Sequence, residues 1–141
     1  MILLDTNVVS EPLRLVVDPA VLSWIDAQNV ETLYLAAISL AELRFGVAAL
    51  PVGKRKDTLH NSIERRIVPL FAGRILPFDT AASAAYAELR VRVRTTGKAI
   101  GTSDGYIAAT AAANDLIVAT RDTAPFEAAG LTVINPWNKT P

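Results

Sequence analysis

Five short runs of apolar and β-branched residues recur along the chain without polar alternation: 2–4 (ILL), 33–38 (LYLAAI), 74–78 (RILPF), 116–120 (LIVAT) and 131–135 (LTVIN). A strand with one wetted face alternates apolar and polar residues. A run that is apolar throughout belongs to a strand covered on both sides. Longer segments with helical signals lie between the runs. Asp18-Pro19 sets an N-cap before a proline at the first helical position and predicts a helix to about Gln28. Ser39 and Glu42 have the S-x-x-E spacing of a capping box, which predicts a helix opening at Ser39 with Glu42 in its first turn. Segment 53–69 carries Leu59, Ile63 and Ile67 on one face, with charges opposite. Asp79-Thr80 opens a long helix to about Thr96, and Ser103-Asp104 opens another, rich in alanine. This alternation predicts one α/β domain over 1–141: three layers, a central parallel sheet of about five strands, and helices on both faces.

A chain of 141 residues fits one domain with a real core. It has no cysteine, which excludes disulfides and thiolate sites and suits a reducing, cytoplasmic setting. Formal net charge is zero, so any grip on nucleic acid must come from local basic clusters or metal ions. Candidate clusters are Lys54-Arg55-Lys56, Arg65-Arg66, and Arg90, Arg92, Arg94 and Lys98; each also reads as a solvated helix face. No stretch has the pattern of a signal peptide or a membrane span, so no membrane partner is expected. The single histidine, His60, sits among charged residues and is expected at the surface, without a zinc site or a hydrolytic triad. Glycine-rich phosphate loops are absent from the first strand–helix turn.

In parallel α/β sheets, sites form beyond the carboxyl ends of the strands, where strand order reverses. That rule sorts the acids. Asp5 follows the first strand, Glu42 is in the helix after the second, Asp122 follows the run 116–120, and Asp104 opens the helix leading into it. All four are expected on the carboxyl edge. Asp115 falls on the opposite edge, and Asp79 at the sheet margin. Each of the four also has a structural use as a helix cap or a dipole partner. Together, however, carboxylates within roughly 4–6 Å of one another repel and raise each other's pKa, which folding alone does not require. A hard divalent cation, Mg²⁺ or Mn²⁺, resolves that repulsion with oxygen ligands.

With these residues in view, LLDTNVVSE, SLAELRFG, GTSDGYIAATA and ATRDTAPF resemble the PIN-domain ribonucleases, specifically the VapC-type toxins of bacterial toxin–antitoxin pairs. The likeness is nearest to the FitB-like branch, through LFAGRILPFD and INPW, and covers nearly the whole chain. The resemblance implies a catalytic quartet of Asp5, Glu42, Asp104 and Asp122 binding Mg²⁺ or Mn²⁺, with Thr6 and Thr120 as supporting polar residues. It also implies a homodimer and a cognate antitoxin through which the pair binds operator DNA. The expected chemistry is hydrolysis of RNA phosphodiesters by a water activated on a metal held by Asp5, Asp104 and Asp122, with Glu42 on a second metal or on the water. Two aliphatic segments, 7–17 and the stretch LHNSIERRIVPLF, read as core or as a dimer seam or antitoxin groove. A competing function is that of a FitB-like binding partner of a DNA-binding antitoxin, acting in transcriptional or trafficking regulation with little or no turnover. A structure-specific DNA nuclease is less apt, since no segment is spare to arch over a flap.

Overall fold

The computed structural model describes residues 1–138. Five strands, β1 (Ile2–Leu4), β2 (Leu33–Ala36), β3 (Ile75–Leu76), β4 (Ile117–Ala119) and β5 (Val133–Ile134), form one parallel sheet in the order β3-β2-β1-β4-β5. Eight α-helical segments surround it: α1 (Thr6–Ser10), α2 (Pro19–Asp26), α3 (Ala37–Ala48), α4 (Lys54–Ser62), α5 (Val68–Leu70), α6 (Thr80–Thr95), α7 (Thr102–Ala113) and α8 (Thr123–Ala128). Among the described residues no helix is long and apolar enough to cross a membrane.

The unalternating runs are explained by what covers the sheet. Leu3 packs into a cluster with Leu89 of α6, Ile107 of α7 and Phe126 of α8. Its neighbour Leu4 points the other way, into a cluster with Val8 of α1, Leu40 and Leu43 of α3, and Ile63 and Ile67 beyond α4. Val118 and Ala119 divide between the same two clusters. Successive strand residues face opposite sides, so double coverage demands apolar residues at every position. This is the expected three-layer α/β arrangement.

Helix α7 lies close against α6 because its contact face is small. Ala108, Ala109 and Ala111 are fully buried, and a Cβ on Gly105 would stand 3.1 Å from the Tyr86 ring. The apolar spacing Leu59, Ile63, Ile67 is accommodated by a π-helical stretch, Ile63–Ile67, that joins α4 to α5. Its wider turn, closed by the Val68 N–H on the Ile63 carbonyl, suits residues repeating every four positions.

One local expectation fails. Helix α3 begins at Ala37, directly out of β2, with Ala36 as its N-cap. Ser39 is therefore the third helical residue and Glu42 the sixth, in the second turn, so the capping box does not form. The run LYLAAI contains no glycine or proline to part strand from helix, and the chain turns inside it. Ser39 is fully buried and its Oγ has no hydrogen-bond partner among the described residues.

Candidate active site at the carboxyl edge of β1 and β4

The chain winds from β1 outward through β2 to β3, then returns to the other side of β1 for β4 and β5. Strand order thus reverses between β1 and β4, and their carboxyl ends frame the crevice. Asp5 leaves β1 there. Its N–H donates to the Ala119 carbonyl at 2.9 Å, so the last rung of the sheet holds its backbone. Its side chain caps α1: Oδ1 accepts from the Thr6 N–H at 2.8 Å. Oδ2 accepts from the Thr120 hydroxyl at 2.8 Å, across the crevice.

Thr120 is fully buried and does double duty. While donating to Asp5, its Oγ1 accepts from the Asp122 N–H at 3.0 Å, which ties the start of α8 to the tip of β1. Asp122 stands at the N-cap of α8 but makes no side-chain capping bond, so its carboxylate is not committed to the helix. Glu42 is reached from α1: the Thr6 hydroxyl donates to its Oε1 at 2.6 Å. Asp104 lies in the first turn of α7, half-buried.

The electrostatics join all four acids. Asp5 is only 4% exposed, and burial lifts its carboxyl from 3.8 to about 6. The Thr120 hydroxyl and the Thr6 N–H oppose that rise, and the charges of Asp104 and Glu42 add to it. Asp104 is raised as well, by burial first and then by the charges of Asp122 and Glu42. Every member of the quartet therefore feels another. Among the described residues no three His, Cys, Asp or Glu side chains form a closed metal-ligand group, so the four are coupled neighbours and not a finished cage. Their chemistry fits a hard cation nonetheless. The donors are all carboxylate oxygens from four separate elements, and Mg²⁺ takes one or two carboxylates and keeps waters.

The remaining acids fall where topology put them. Asp79 caps α6 at the sheet margin, accepting from the Ala82 N–H at 2.9 Å, and Asp115 precedes β4 on the opposite edge with φ 54°. Arg44 turns from the crevice into a two-pronged pair with Glu64 at 2.7 and 2.9 Å. His60 is exposed on α4. Sequence reasoning did not single out Asn7, whose Oδ1 accepts from the Arg121 backbone N–H at 3.4 Å, nor Arg121 and Trp137, whose guanidinium carbon and ring centroid lie 5.3 Å apart. The only signal for Asn7 was its place in the D-T-N run. The Arg121–Trp137 contact joins residues that no periodicity relates.

The chain is 61% identical to VapC ribonuclease Y4jK of Sinorhizobium fredii over 137 residues, 97% of this chain and 98% of that one. It is 56% identical to toxin FitB of Neisseria gonorrhoeae over 138 residues, 98% and 99% of the two chains. A chain in a solved structure of FitAB bound to an IR36 DNA fragment superposes with a TM-score of 0.96 at 54% identity, covering 99% of this chain and 98% of that one. The PIN domain model matches residues 2–131. On this match over nearly the whole chain, the chain belongs to the PIN-domain family, among relatives that include VapC ribonuclease Y4jK and toxin FitB.

Proposed function

We propose that this protein is a divalent-metal-dependent endoribonuclease, the toxin of a type II toxin–antitoxin pair, built as a single PIN domain over 1–141 and working in the cytoplasm. The observation that carries the reading is the coupled quartet at the switch point, in which a buried Asp5 carboxyl sits near pKa 6 among three other acids. The names of two relatives, a ribonuclease and a toxin, support it.

Asp5, Asp104 and Asp122 would hold Mg²⁺ or Mn²⁺, which when bound supplies a water acidified enough to act as hydroxide near neutral pH. The chain's own residues set the stage. Thr120 and the Thr6 N–H each hold one oxygen of Asp5, so its carboxylate presents fixed lone pairs to the crevice. The Thr6 hydroxyl turns Glu42 toward the same space, where it orients the attacking water. In-line attack on an RNA phosphodiester leaves 5′-phosphate and 3′-hydroxyl ends.

The antitoxin has a groove to occupy. A cavity of about 610 Å³ is lined by Val9 and Leu13 from the 7–17 segment and by Leu59, Ile67 and Phe71 from the α4–α5 side. Its apolar lining suits an amphipathic helix. Phe45, 75% exposed on α3, suits a homodimer seam. Operator DNA is bound only through the antitoxin. A second reading is favoured by the DNA-bound FitAB structure: the acidic pocket serves as a dock for a basic antitoxin segment, and the complex regulates transcription or trafficking without turnover.

Cleavage of single-stranded RNA with Mn²⁺, by the wild type and by Asp5→Asn and Asp122→Asn, separates the two. The nuclease reading expects metal-dependent cleavage lost in both variants. Tight antitoxin binding with no cleavage by the wild type selects the dock, and undiminished cleavage by Asp5→Asn removes the quartet assignment.

A further inference from the structure

Resting on the ribonuclease reading, we propose that Arg121, braced on Trp137, is a substrate-binding residue that grips a backbone phosphate of the RNA strand beside the scissile linkage. A rim of four carboxylates repels a polyanion, so the strand needs a cation at the edge of the same crevice. Arg121 lies between Thr120, which bonds Asp5, and Asp122. Its backbone N–H is held by the Oδ1 of Asn7, two residues beyond Asp5. Among the described residues no other basic residue directly adjoins two members of the site in the chain.

Five of the other arginines have engaged guanidiniums, and the remaining four, Arg65, Arg66, Arg92 and Arg94, lie on the 63–67 stretch and on α6. Arg44 pairs with Glu64 and Arg14 with Glu11; Arg55 donates to the Leu13 carbonyl and Arg90 to the Ile100 carbonyl. Arg74 donates to the carbonyls of Val30, Leu33 and Leu70. The exposed Arg121 guanidinium makes no hydrogen bond or ion pair among the described residues. Its Cζ lies over the Trp137 ring, 5.3 Å from the centroid. Trp137 is itself fixed: its backbone N–H donates to the Asn135 Oδ1 at 2.9 Å, and its ring packs against the core cluster that holds Leu4 and Val8. Stacking restrains the flexible stem and leaves the N–H edges free, which is the presentation a phosphate takes from arginine and not from lysine.

The test uses the full chain carrying Asp5→Asn, which on the ribonuclease reading leaves RNA uncut, and measures binding of a fluorescent single-stranded RNA by anisotropy across a salt series. Adding Arg121→Ala should weaken binding about tenfold and lower the slope of log affinity against log salt by about 0.7, the loss of one phosphate contact. Arg121→Lys should restore the slope but only part of the affinity. Trp137→Ala should weaken binding less than Arg121→Ala, and the double variant should be no worse than Arg121→Ala. With Asp5 restored, Arg121→Ala should raise KM far more than it lowers kcat. Unchanged affinity and slope in Arg121→Ala and Arg121→Lys, both melting like their parent, would overturn the assignment while cleavage by the wild type stands. Loss of antitoxin binding with RNA binding intact would also overturn it and place Arg121 in a protein interface. Wild-type protein that neither binds nor cuts RNA refutes the ribonuclease reading itself, and this inference with it.

Discussion

Replacing Asp5 by Asn should make the metal-free protein more stable, although it removes the central acid of the proposed site. The Asp5 carboxyl titrates near 3.8 when unfolded and near 6 when folded. An acid whose folded pKa is raised binds more protons in the native state between those values, so its contribution falls as pH rises through that window. Above about pH 7 the ionised, buried carboxylate costs about 3 kcal/mol; at pH 5 it costs roughly half as much, and below 3.8 almost nothing. An amide carries no charge and can keep both contacts, accepting from the Thr6 N–H and donating to the Thr120 oxygen. Asp5→Asn should therefore raise Tm at pH 7 in EDTA by up to about 10 °C, at about 2–4 °C per kcal/mol for a domain of this size. The gap should narrow at pH 5 and close near pH 4. Mn²⁺ should raise the Tm of the wild type and not that of the variant. Calorimetry across this pH range decides the matter. A variant that melts at or below the wild type at pH 7, or a gap that widens toward acid, would refute the electrostatic account of Asp5.

Three further expectations follow from single contacts. Thr120→Val removes the hydroxyl that lowers the Asp5 pKa and accepts from Asp122, and should destabilise the protein by about 1–3 kcal/mol at neutral pH, less at pH 4.5, with weakened Mn²⁺ binding by calorimetric titration. Leu3→Ala empties a fully buried site between the sheet and α7 and should cost about 2–5 kcal/mol in urea unfolding, with the RNA affinity of the folded fraction unchanged. Arg44→Ala breaks only an exposed pair on the outer side of α3; melting and cleavage should both match the wild type, and a large loss of cleavage would bring Arg44 into the site.

Much of this molecule is legible along the chain. A strand buried on both faces must be apolar at every residue, so ILL and LIVAT announced a covered parallel sheet, and the position of each acid relative to its strand announced which edge it occupies. That reasoning separated Asp5 and Asp122 from Asp115, because strand direction is written in the order of the elements. Ser39 shows the boundary of such reasoning. Its S-x-x-E spacing is a local signal, but with Leu40 and Leu43 packed in the core the N-cap falls at Ala36, three residues earlier, and the hydroxyl is buried. Only tertiary structure decided that the Thr120 hydroxyl would bind a carboxylate 115 positions away, that Asp5 would lose enough water to titrate near 6, and that Trp137 would come to rest under Arg121. Periodicity reports which face of an element meets the core. Hydrogen bonds, desolvation and stacking depend on which faces meet each other, and that pairing exists only once the sheet has closed its order around β1.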